Sequence, residues 1–174
     1  PKTLFNLDST YQCAVIEMGM SHFGEISRLT RTALPTMGVI TNIGFSHIEN
    51  LGSQQGILKA KLEILEGMDG SAPIFLNADD ISLYQVSYQL GRPTYTFGIE
   101  NPDSDFRAIN VNQHDTYTTF DVQWKGGTDS ITLPAIGSHN VLNALVSFAI
   151  GVNSGLTPQE VANALSKYKA DALR

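Results

Sequence analysis

The sequence predicts an α/β fold, a doubly wound and mostly parallel sheet with a small antiparallel β meander. Three observations predict it. Short apolar runs alternate with helix-period segments from Cys13 to Phe97. Between Phe106 and Leu133 the period shortens to two, with turn residues between the runs. From Ser138 onward the helical period returns. Strand–helix alternation followed by alternating strands is the pattern of a parallel sheet that ends in hairpins.

Cys13-Ala-Val-Ile-Glu-Met18 reads as a short buried strand, and Gly24 to Ala33 as a helix with Ile26, Leu29 and Ala33 on one face, closed by Pro35. Met37 to Thr41 is the second expected strand. A helix from about Ser53 to Met68 follows, with Ser53 as its N-cap. Pro73 to Asn77 reads as a strand, Ile81 to Leu90 as a helix, and Thr94 to Phe97 as a strand. The meander comprises Phe106 to Asn112, Thr116 to Trp124 and Ser130 to Leu133, with turns at Gln113–Asp115 and Lys125–Thr128. Thr157-Pro-Gln-Glu160 opens the last helix, with a capping box and Pro at its first position.

Composition narrows the function. The 174 residues, 42% of them hydrophobic, suit one core, and the net charge of −6 comes without a basic run. Binding to nucleic acid through a positive surface is not expected. Neither a signal peptide nor an apolar run of bilayer length is visible, so no membrane insertion and a cytoplasmic location are expected. The single cysteine, Cys13, excludes an internal disulfide.

Open parallel sheets bind ligands beyond the carboxyl ends of their strands. Glu17 falls at the end of the first expected strand and His47 a few residues past the second, so both are expected on one rim. A carboxylate with an imidazole there suits a divalent cation that also holds phosphate oxygens. Lys61 interrupts the apolar stripe Ile57, Ile64, Leu65, Met68. Two readings stay open for it. A buried amine loses its charge and can react with CO2 to form an anionic carbamate; an ordinary lysine snorkels, and snorkelling is the commoner outcome. The helix start at Gly137-Ser-His-Asn140 offers free N–H groups to a phosphate or polar ring edge, and Asn140 and Asn143 share one side of it. The plain alternative makes Asn140 a cap and leaves Asn143 on the surface. Asp79-Asp80, after Asn77, reads as an acidic turn, the less common alternative being contact with a ligand at the strand edge.

Four blocks resemble one family, the Mur ligases of peptidoglycan precursor synthesis. They are Glu17-Met-Gly-Met-Ser-His-Phe-Gly-Glu-Ile26; Thr41-Asn-Ile-Gly with His47-Ile-Glu49 and Gly52-Ser53; Ala60-Lys-Leu-Glu-Ile64; and Gly137-Ser-His-Asn140 with Asn143-Ala-Leu145. The Glu-Met-Gly, Gly-Glu-Ile and Gly-Ser elements most resemble the type that adds D-alanyl-D-alanine to a UDP-N-acetylmuramoyl-tripeptide. The resemblance implies a P-loop NTPase-like central domain that uses ATP and Mg2+. Glu17 and His47 would be Mg2+ ligands. Lys61 would be a carbamylated lysine supporting a second Mg2+, so that Lys61 and His47 are the catalytic positions. Asn140 and Asn143 would contact the nucleotide. Arg174 matches an arginine that contacts ATP, although Leu173 stands where the family usually has Gly. Asn42 lies beside the metal edge, where it would meet substrate or order the loop.

The implied chemistry is attack of the tripeptide carboxylate on the γ-phosphate, giving an acyl phosphate, then displacement of phosphate by the dipeptide amine. No Gly-x-x-Gly-Lys-[Ser/Thr] loop occurs in the chain. The resemblance therefore implies an incomplete central domain over 1–174, without its phosphate loop, its N-terminal UDP-sugar domain or its C-terminal domain, and inactive in isolation. The alternatives are a related amide ligase, of the folylpolyglutamate synthase or cyanophycin-synthetase kind, and a non-catalytic binding module of the same fold.

Overall fold

The computed structural model describes residues 2–44 and 48–169. A 3-10 turn at Lys2–Asn6 leads into a stretch without helix or strand and then α1 (Glu25–Ala33) and β1 (Gly38–Ile40). Next come α2 (Ile48–Leu51), α3 (Gln54–Leu62) with a 3-10 turn at Glu63–Gly67, β2 (Ile74–Asn77), α4 (Ile81–Ser87) and β3 (Thr94–Gly98). The chain continues through β4 (Phe106–Gln113), β5 (Thr118–Trp124), β6 (Gly127–Leu133), α5 (Ser138–Asn153) and α6 (Pro158–Leu165).

All six strands form one sheet in sequence order, β1 to β6. The first three pairings are parallel and the last two antiparallel. The expected α/β sheet with its meander is therefore present, with one refinement: β4 is antiparallel to β5 but pairs parallel with β3. No helix fills that crossover. Residues 99–105 suffice because the Asp79 carboxylate accepts the backbone N–H groups of Ile99, Glu100 and Asn101 at 2.8, 3.0 and 2.9 Å.

Both faces of the sheet are covered, and β2 shows how. Its alternating side chains divide between two cores: Ile74 and Leu76 join Ile40, Ile57 and Leu83 under α3 and α4, while Phe75 joins Phe106, Val122, Leu145 and Phe148 under α5. α1 docks through its polar groups. Glu63 accepts the N–H groups of Gly24 and Ser27 at 2.8 and 3.1 Å, placing a carboxylate at the positive end of α1. Gly67 permits the approach, since a Cβ there would meet the Thr30 carbonyl at 2.3 Å.

One expected element is absent. Cys13–Met18 belongs to no strand, and Cys13, Ala14, Val15 and Glu17 are exposed, Val15 at 93%. An apolar run becomes a strand only where its backbone finds a ladder partner. Among the described residues β1 pairs with β2 alone. Other boundaries moved less. α3 stops at Leu62 and tightens to a 3-10 turn, while Ser53 caps it as expected, its Oγ accepting Gly56 N–H at 3.1 Å. β6 begins at Gly127 rather than Ser130, because Lys125-Gly126 alone makes the turn. The capping box at Thr157 and Glu160 is formed.

Candidate functional site

The carboxyl ends of β1 and β2 release the loops Thr41–Gly44 and Ala78–Asp80 side by side. Their backbone groups are tied together by side chains. Asn77 Nδ2 donates to the Thr41 carbonyl at 2.8 Å, and Asn77 Oδ1 accepts Asp79 N–H at 2.9 Å. Asp80 Oδ2 accepts Ile43 N–H at 2.8 Å. Its Oδ1 accepts Ser82 and Leu83 N–H at 3.1 and 3.3 Å, capping α4.

Lys61 reaches this rim from α3. Its stripe neighbour Ile57 is fully buried, and Lys61 itself is half-buried, so the stem packs while the amine leaves the core. The amine donates to the Asn42 carbonyl at 2.5 Å, with Asn42 Oδ1 at 3.4 Å. Burial pushes the amine below the usual lysine range, and the facing Asp80 carboxylate opposes that shift. The outcome lies between the two readings open for this lysine: the amine is neither sealed in hydrocarbon nor free in water.

The other candidates divide. Asn42 joins Lys61 at the rim. Glu17 lies in the exposed stretch without helix or strand and is not at a strand end. Asn140 and Asn143 do share one side of α5 and line a single cavity of about 80 Å³ with Ser147, Leu165 and Tyr168. That is small beside the several hundred Å³ of usual ligand pockets. Gly137, not Asn140, caps α5, and Asn140 Nδ2 donates back to the Ile136 carbonyl at 2.8 Å. His47 and Arg174 lie outside the described residues. Among those described, no three His, Cys, Asp or Glu side chains gather as a metal site, and no helix is long and apolar enough to cross a membrane. A groove of about 740 Å³ between Thr36, Gly67 and Pro73 opens at the opposite, amino-terminal ends of the strands.

Two residues were undervalued by sequence reasoning. Asn77 is buried at the end of an otherwise apolar strand, and Asp80 directly precedes a helix. A buried amide there needs partners, and an N-cap aspartate has a second oxygen to offer. Both signals were readable, but their shared target, the 41–43 backbone, required the fold.

An open α/β sheet whose strand ends present a partly desolvated lysine defines the class: an α/β domain with its loop rim at the carboxyl edge. The chain belongs to the Mur ligase middle domain family, whose model matches residues 1–151. It is 38% identical to the UDP-N-acetylmuramoyl-tripeptide--D-alanyl-D-alanine ligase of Bacillus subtilis (strain 168), over 100% of this chain and 37% of the relative. The fold matches MurF from Acinetobacter baumannii with TM-score 0.88 at 24% identity, covering 97% of this chain and 37% of that one. MurF ligase from Thermotoga maritima in complex with ADP matches with TM-score 0.78 at 24% identity, covering 88% and 35%. The chain thus spans little more than a third of the length of the curated relatives it matches.

Proposed function

We propose that this chain is the central, nucleotide-handling domain of a cytoplasmic ligase that joins D-alanyl-D-alanine to UDP-N-acetylmuramoyl-tripeptide at the expense of ATP. The observation that carries the reading is the 38% identity to a relative of that name along the whole chain. The half-buried Lys61 amine supports it. Desolvation favours the neutral amine, which adds to CO2 with loss of one proton and becomes an anionic carbamate.

In this reading Glu17 and His47 would hold one Mg2+, Glu17 from its exposed stretch rather than from a strand end, and the Lys61 carbamate would support a second, since a carboxylate, an imidazole and a carbamate oxygen are donors a hard divalent cation accepts. Bound there, the cation would neutralise charge on phosphate and carboxylate oxygens. Lys61 and His47 are the catalytic positions, Asn42 meets substrate at the rim, and Asn140, Asn143 and Arg174 contact the nucleotide.

The test uses the full-length protein that carries this chain. ADP release should require both the UDP-sugar tripeptide and D-alanyl-D-alanine, and the isolated 174-residue chain should release none. ADP release driven instead by L-glutamate with a folate acceptor would replace this reading with the folylpolyglutamate synthase kind. Release by neither pair would favour a binding module.

A further inference from the structure

We propose that Asn77 and Asp80 are positioning residues: they hold the Thr41–Ile43 backbone in place, and through it the carbonyl that receives the Lys61 amine. The catalytic consequence rests on the function proposed above; the positioning itself does not.

The Thr41–Gly44 loop has no ladder or helix of its own. Three successive residues instead give one backbone group each to a side chain from a different element. The Thr41 carbonyl accepts from Asn77 of β2 at 2.8 Å, the Asn42 carbonyl from Lys61 of α3, and Ile43 N–H donates to Asp80 at 2.8 Å. The two flanking contacts fix the peptide planes on either side of Asn42, so they set where its carbonyl points. Lys61 is long and flexible, and its head goes where that acceptor lies.

Neither flanking residue has slack. Asn77 is 6% exposed and uses its amide as donor to Thr41 and as acceptor from Asp79, which also fixes the orientation of the amide. Asp80 spends one oxygen on the α4 cap and the other on Ile43. Ile43 is 3% exposed and packs in the same core as Ile57 and Leu83, so the loop is anchored by one side chain and aimed by three.

Two variants of the full-length protein separate aiming from folding. Asn77→Asp keeps the acceptor for Asp79 N–H and sets an oxygen against the Thr41 carbonyl. Asp80→Ser keeps an N-cap for α4, since serine caps about as well as aspartate, but does not reach Ile43. Amide hydrogen exchange should rise about tenfold or more over residues 41–44 in both, with Thr94–Gly98 unchanged. In the ligase assay kcat should fall about 30- to 100-fold, with KM for ATP and both substrates within about threefold, as expected when bound reactants are misaligned. Unchanged exchange over 41–44, or exchange rising throughout the sheet, would overturn the positioning role. Faster local exchange with kcat within about threefold of the parent would overturn its link to catalysis. A parent protein with no ligase activity counts against the proposed function only, because the exchange measurement still decides the positioning.

Discussion

The parallel and antiparallel halves of the sheet hold their connections by different means. Between β4, β5 and β6 the ladders run directly into turns, and the pairing continues to Trp124 opposite Gly127. Beyond β1, β2 and β3, the chain leaves the ladder and side chains take over: Asn77, Asp80 and Asp79 between them accept or donate to the backbone of residues 41, 43 and 99–101. A parallel strand cannot turn straight into its neighbour, so its outgoing loop starts with unpaired backbone groups. Those groups are a structural cost and also the raw material of a site. The antiparallel half, with its backbone satisfied locally, provides core and no rim.

The sharpest contrast should come from one truncation in each half. Phe148 of α5 is fully buried with ring contacts to Phe106 and Trp124, at centroid distances of 6.4 and 5.8 Å. Phe148→Ala should cost about 3–5 kcal/mol, read as a fall in the urea midpoint. Exchange should quicken across β4–β6. A loss under about 1 kcal/mol would mean that the meander does not depend on this packing. Asp79→Ala should cost less, about 1–2 kcal/mol, because the three orphaned N–H groups lie near solvent and can turn to water. Its signature should be local, with faster exchange at Ile99–Asn101 and little change in β5. Equal, global effects from both variants would erase the distinction between the halves.

The same contrast explains what the sequence made legible. Elements built on local periodicity or capping were readable: α1, α4 and α6 start where expected, and Ser53 and Thr157 cap their helices. Cys13–Met18 was misread because its composition suits a buried strand while pairing is a property of the neighbour, which composition does not report. Lys61 was readable as a lysine out of place on an apolar stripe. Its partner was not, because the Asn42 carbonyl lies 19 positions away and is brought there by the crossover from β1 to α3. Glu17 illustrates the reverse: its expected place followed from a strand that is not formed, so the rim built from described residues rests on Lys61, Asn42, Asn77 and Asp80.

The meander does contain polar side-chain links between strands, and the one at Asp121 sets the smallest expected effect. Asp121 of β5 accepts from Asn110 of β4 at 2.8 Å and from Ser130 of β6 at 2.6 Å. The Asn110 amide, then the Ser130 hydroxyl, hold its carboxyl below the ordinary aspartate value, against a weak opposing push from burial. A depressed folded value means that the unfolded chain binds the proton first, so stability falls as pH drops. The contribution is full above about pH 4, where an unfolded aspartate is ionised, and is lost as pH falls through the lower folded value. Asp121→Asn should therefore melt slightly below the parent at pH 6, with the gap closing as pH approaches 3. A gap that stayed constant would show that the charge is irrelevant and only hydrogen-bond geometry matters. A gap that vanished at every pH would show that the meander does not need the Asp121 links, strengthening the contrast with a rim whose loops depend on side chains.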